Sequence, residues 1–110
     1  MVLRLGVLEG GVQLLEHPGV GHHQGPGELG KEVPYVLGDL EVQRLGYGAM
    51  RLPGKDAWGA PDDRARALRV LRRAVELGVD FIDTAWFYGP LVANELIAEA
   101  LHPYPRELVI

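Results

Sequence analysis

The chain has 110 residues, of which 47% are apolar and 24% charged, and its net charge is −4. This is ordinary globular composition at a length that allows one domain with a real core; the charge leaves no basic footprint for nucleic acid, and the lack of cysteine excludes disulfides, thiolate nucleophiles and zinc–thiolate sites. No apolar run approaches the roughly 20 residues of a membrane-spanning helix, and no small-residue cleavage site follows MVLRLGVLEGG, so the expectation is a soluble, cytoplasmic protein without membrane association.

Residues 1–33 differ from the rest. They hold eight of the fifteen glycines, and HPGVGHHQGPGELG has neither a strand nor a helix period. Such a tract buries too little surface to offset its ordering entropy. A flexible amino-terminal arm is expected over 1–33, with a short ordered piece around Val2–Leu15, ahead of a domain over 34–110. An arm that arises from a start codon placed too early is an alternative. His17, His22 and His23 offer imidazoles, but a metal site needs ligands held in fixed geometry, so an exposed segment is the simpler reading.

Order is expected from Pro34. YVLGDLEV places two short apolar strands around Gly38-Asp39, a dipeptide suited to a tight hairpin turn. RLGYGAMRL predicts a strand over about 44–49, which enters a loop through PGKDAWGAP. Over 61–77, Ala67, Leu68, Leu71, Ala74 and Val75 share one face at helical spacing. Arg64, Arg66, Arg69, Arg72 and Arg73 lie mostly off it and read as a solvated surface. Pro61, Asp62 and Asp63 suit the helix start, and Gly78 suits its stop. Val79–Ala85 predicts a second strand. A second helix is expected over about 92–101, with Ala93, Leu96, Ile97, Ala100 and Leu101 on its apolar face. After HPYPRE, Leu108-Val109-Ile110 begins a third strand.

Alternating strands and helices favour a parallel sheet, whose ligand sites lie beyond the carboxyl ends of the strands. Asp83 and Tyr88 fall at the end of the second strand and in the loop after it. A phenol, with an ordinary pKa of about 10, donates a proton usefully at neutral pH when a nearby cation stabilises its phenolate. A carboxylate alone works the other way, so Asp83 assists such chemistry only by holding a cation. Spacing leaves open a plainer reading, in which Asp83 caps the following turn and Tyr88 packs.

GVDFIDTAWFYGPLVANELIAEAL (78–101) resembles the aldo/keto reductase signature, in which a glycine-led strand ends in D-T-A, two variable residues and Y-G, followed by an N-E that opens a helix, here Asn94-Glu95. LGYGAMRLPG (45–54) is similar to the first-strand segment of that family, and YVLGDLEV resembles its amino-terminal hairpin. The resemblance covers about 35–110 in the family's order and says nothing of 1–33. It implies an α/β chain: the amino-terminal fragment of a (β/α)8 TIM barrel, made of a hairpin, two βα units and the start of a third strand.

The resemblance also implies NADPH-dependent reduction of a small-molecule aldehyde or ketone, with NADH as the alternative cofactor. Tyr88 would be the acid, and Asp83 would anchor a lysine and lie near the nicotinamide ribose. Gly48, Ala49 and Met50 would approach the cofactor. Gly46-x-Gly48 is not a dinucleotide fingerprint, since the third glycine is absent. Trp58, Trp86 and Phe87 either line an apolar substrate pocket or pack. The family's lysine belongs just past Leu108-Val109-Ile110, and Lys31 and Lys55, the two lysines of the chain, do not match it. Its fourth-strand histidine is not matched by His102. A barrel takes about 250 residues. The expectation is therefore a truncated reductase, inactive alone and prone to self-association through open barrel edges; a non-catalytic remnant and a small α/β protein of other function are the alternatives.

Overall fold

The computed structural model describes residues 33–110 and, before them, the strands β1 (Arg4–Leu8) and β2 (Val12–Glu16). Both strands fall where a short ordered piece is expected. The remainder of residues 1–32, including His17, His22 and His23, lies outside the described residues.

The predicted hairpin forms as β3 (Tyr35–Leu37) and β4 (Leu40–Val42), paired antiparallel. Gly38 turns the chain at φ +66°, a conformation costly for side-chain-bearing residues. Val42 is buried, whereas Val36, Leu37 and Leu40 remain exposed. The hairpin forms its own two-stranded sheet. Just past β4, the Gln43 amide donates to Asp80 Oδ1 at 2.8 Å, tying the hairpin to the approach to the second predicted strand.

That approach leads to β6 (Ile82–Asp83), which pairs parallel with β5 (Leu45–Gly48), Tyr47 beside Ile82 and Gly48 beside Asp83. Strand alternation sends Tyr47 and Ile82 into the core and leaves Gly46, Phe81 and Asp83 on the opposite face. Gly46 has to be small: a Cβ there would stand 2.7 Å from Phe81 Cδ1 on the neighbouring strand. The second strand is shorter than the predicted 79–85. Val79 donates to Ala74 O at the helix end, and beyond Asp83 the chain turns, Tyr88 donating to Ala85 O, so neither flank is free to continue the ladder. Of the third predicted strand, Val109 makes one parallel bridge to Phe81, supported by Ile82 N–H to Val109 O at 2.9 Å and Val109 N–H to Asp80 O at 2.8 Å.

Two helices cover one face. Helix α1 (Arg64–Glu76) starts after Asp63, whose carboxylate accepts from the Arg66 amide at 2.8 Å, an N-cap worth about 1 kcal/mol. It is shorter by three residues at its start than the predicted 61–77, since Asp63 takes the cap and leaves Pro61 and Asp62 ahead of it. Gly78 follows its end at φ +102°. Helix α2 (Val92–Leu101) has the predicted bounds. Ala67, Leu71 and Ala74 of α1 and Ala93, Leu96, Ile97 and Leu101 of α2 are buried with Tyr47 and Ile82, and Leu68, Val75 and Ala100 pack at the margin. The α1 arginines are exposed, as expected, but two reach the second helix: Arg64 pairs with Glu99, and Arg72 Nε donates to Ala100 O at 3.2 Å. Exposed contacts of this kind contribute little; apolar burial holds the helices to the sheet.

Candidate functional site

The parallel register decides what meets at the carboxyl ends of the strands. Gly48 and Asp83 are direct neighbours, so the turn after β5 and the loop after β6 leave the sheet side by side. The chain after Gly48 winds into a tight helical turn, Ala49–Arg51, closed by Leu52 N–H to Ala49 O at 3.0 Å. Ala49 is buried and Met50 exposed. A second such turn, Lys55–Ala57, holds Asp56 at φ 57° and leads to Trp58. The sequence predicts plain loop over this stretch, since a local 3-residue period is too short to register as a pattern.

The Asp83 carboxylate is exposed and Tyr88 half-buried, its ring packed at the margin of the core. Among the described residues no hydrogen bond joins them. What organises the loop is its backbone: Leu91 donates to Trp86 O at 2.8 Å and Ala93 donates to Tyr88 O at 3.1 Å, seating the tyrosine over the start of α2. Thr84 Oγ1 donates to Asn94 Oδ1 at 2.7 Å and ties the strand end to the same helix. The N-E pair is legible in the sequence, but its threonine partner emerges only when strand and helix pack. An expectation that Asp83 caps the turn finds no support, because no backbone amide donates to its carboxylate among the described residues.

Gly89 is the pivot. It sits at φ +117°, and a Cβ there would lie 2.3 Å from Val92 Cβ and 2.8 Å from Val92 N. Its carbonyl accepts from Gly59 N–H at 2.9 Å, and it bridges Trp58, joining the two loops. The Trp58 and Phe87 rings meet edge-on with centroids 6.2 Å apart. Trp58, Trp86 and Phe87 are each about 60% exposed, so these aromatics are not buried packing. Gly89→Ala is expected to destabilise by about 2–3 kcal/mol through backbone strain and the Val92 clash. Urea unfolding checks it, and a loss below about 0.5 kcal/mol would contradict the crowding described.

An open cleft of about 620 Å³ lies elsewhere, between the 51–63 loop and α1. Tyr47, Arg51, Lys55, Asp62 and Arg66 line it, and neither Asp83 nor Tyr88 does. Lys55 thus belongs to that cleft and not to the Asp83–Tyr88 loop. Burial pushes the Tyr47 phenol up to about 12, the wrong direction for an acid at neutral pH. The folded state therefore keeps this proton while the unfolded chain loses it above about pH 10. Stability is fully retained below about pH 10 and is expected to fall as pH rises from about 10 to 12, by up to about 3 kcal/mol. Tyr47→Phe, measured by urea unfolding across that range, should flatten the decline; an equally steep decline would assign it to other groups. Among the described residues no cluster of three metal-ligating side chains occurs, and no helix is long and apolar enough to cross a membrane.

The sequence matches the Aldo/keto reductase family over residues 44–110, which includes β5, the two loops, β6 and both helices. The chain belongs to the aldo/keto reductase family. It is 54% identical over 76 residues to the pyridoxine 4-dehydrogenase of Escherichia coli, covering 69% of this chain and 27% of that protein. An uncharacterised oxidoreductase of Schizosaccharomyces pombe is 47% identical over 68 residues, 62% of this chain and 22% of the other. The NADH-specific methylglyoxal reductase of Escherichia coli is 30% identical over 80 residues, 73% of this chain and 24% of that enzyme. The chain thus spans about a quarter of the length of these aldo/keto reductase relatives. The family resemblance read from the D-T-A, Y-G and G-A-M segments is confirmed, and with it the oxidoreductase class of the family.

Proposed function

We propose that the chain carries the acid and the anchor of an aldo/keto reductase site, which reduces an aldehyde or ketone to an alcohol with NADPH as the reductant. The observation that carries this reading is the register of Gly48 beside Asp83, with Tyr88 in the loop that follows, inside the segment that matches the family. The donor set fits a nicotinamide ribose: Asp83 offers an exposed carboxylate to a sugar hydroxyl, and Gly48 has no side chain to obstruct it. Gly48, Ala49 and Met50 would flank the cofactor beside Asp83. When bound, NADPH would be the source of the hydride for the carbonyl carbon.

The chain's own residues do the rest. The Tyr88 phenol gives its proton to the carbonyl oxygen as negative charge develops there, and solvent returns a proton to the phenolate after the alcohol leaves. Asp83 would anchor a lysine ammonium, which neither Lys31 nor Lys55 supplies, and that cation would assist proton donation by the phenol. Exposed Trp58 and Phe87, joined at the loop junction, form an apolar wall for the substrate. The relative that is NADH-specific leaves NADH as the alternative reductant.

In this reading residues 34–110 form the amino-terminal hairpin and two βα units of a (β/α)8 barrel, with residues 1–33 as an arm. The protein is cytoplasmic, and its exposed apolar residues, Val36 and Ile110 among them, favour self-association. The chain alone is inactive, because neither Lys31 nor Lys55 matches the required cation. The test is NADPH oxidation by the purified chain with an aromatic aldehyde, beside a chimera in which residues 35–110 replace the matched quarter of the Escherichia coli pyridoxine 4-dehydrogenase. The reading expects turnover from the chimera and none from the chain. A folded chimera without carbonyl reduction or alcohol oxidation would refute the site, and turnover by the chain that Tyr88→Phe abolishes would refute its inactivity.

A further inference from the structure

Strand β5 has a different neighbour on each edge. On one side β6 runs parallel to it, and on the other β2 runs antiparallel, in register over all four residues of β5: Glu16 with Leu45, Leu15 with Gly46, Leu14 with Tyr47 and Gln13 with Gly48. β1 pairs in turn with β2, so the four-stranded order is β1-β2-β5-β6. In a closed (β/α)8 barrel every strand has two parallel neighbours. The edge of the first barrel strand that faces away from the second is where such a barrel closes. A backbone edge accepts one strand at a time, because each N–H and C=O is used once.

We propose that the hairpin β1–β2 is a strap that occupies the closing edge of β5, so that the barrel cannot close on this strand until the strap is released. The sequence of β5 makes a cover valuable. Two of its four residues, Gly46 and Gly48, have no side chain to screen the edge, and glycine-rich edges pair indiscriminately. The strap meets that edge within one chain, through a hairpin whose two strands are separated by three residues. This inference rests on the family fold and not on the proposed chemistry, so Tyr88 could prove inert while the strap stands.

Backbone alternation supplies a specific readout. The Tyr47 amide donates to Phe81 O at 2.8 Å, toward β6. The amides of Gly46 and Gly48 therefore face β2, in hydrogen-bonded pairs with Leu15 and Gln13, whereas Leu14 and Tyr47 form a non-hydrogen-bonded pair with close Cα atoms. Hydrogen exchange of the labelled full chain should show Gly46 and Gly48 protected, and a cross-strand Hα–Hα contact should join Leu14 to Tyr47. Leu15→Pro, which removes the N–H facing Gly46, should lower protection at Gly46 and Gly48 at least tenfold. Tyr47, and Leu71 and Ile97 in the helices, should stay protected to within about twofold. Unprotected Gly46 and Gly48 in the unsubstituted chain, absence of the Leu14–Tyr47 contact, or protection that survives Leu15→Pro in a folded chain would each overturn the strap. If the variant unfolds, the Hα contact in the unsubstituted chain decides.

Discussion

Tyr88→Phe in the chimera described above is expected to lower carbonyl reduction by a factor of about 10²–10⁴ while leaving the fold intact. The substitution removes one oxygen. The ring stays at the margin of the core, and the backbone bonds that seat the loop, Tyr88 N–H to Ala85 O and Ala93 N–H to Tyr88 O, do not involve the hydroxyl. The loss should therefore fall on kcat and kcat/KM alike, the pattern of an interaction made in the transition state. Asp83→Asn should lower the rate in the same direction, because a neutral amide holds a cation less well than a carboxylate does. Steady-state rates across pH decide both. A Tyr88→Phe chimera within about threefold of its parent would leave the tyrosine a packing residue.

Leu71→Ala is expected to cost about 2–5 kcal/mol of stability. Leu71 is fully buried on the face of α1 that meets the sheet and α2, and its cluster includes Tyr47, Ile82, Leu96 and Ile97. Truncation would remove three carbons' worth of apolar contact and leave a cavity that helices pinned by their ends cannot collapse to fill. Domains are stable by about 5–15 kcal/mol in total, so this single change removes a large part of the margin. Leu68, at the edge of the same cluster, should cost markedly less. Urea unfolding checks both through a shifted midpoint at unchanged slope. Equal losses at the two positions would mean that the core is not centred where the packing places it.

The helices were legible because their determinants are local. The 3.6-residue spacing of Ala67, Leu71 and Ala74, and of Ala93, Leu96, Ile97 and Leu101, is carried by the residues themselves, as are Asp63 at one start and Gly78 at one end. The candidate site was legible in part. Asp83 and Tyr88 stand out as polar groups after an apolar run, and the D-T-A, Y-G and G-A-M segments mark the family. Neither pattern reveals which loop residues touch. Trp58 and Gly89 lie far apart in sequence and are joined by a backbone bond that no side chain announces. The second strand was overextended for a related reason: Val79–Ala85 is apolar enough for a strand throughout, but helix closure before it and a turn after it take the backbone groups a ladder would need. The short ordered piece expected around Val2–Leu15 takes the form of two strands, and no local pattern shows that β2 pairs with β5, which lies about thirty residues away.

By itself the sequence determined the family, the two helices and the hairpin turn, and it singled out Asp83 and Tyr88 as candidates, because each rests on residue types at short spacing. Only the tertiary structure decided that Gly48 lies beside Asp83, that Gly89 couples the two loops, and that β2 lies against β5. Those arrangements depend on main-chain hydrogen bonds, which every residue but proline can donate, and on steric room at Gly46 and Gly89 that exists only once neighbouring segments have packed.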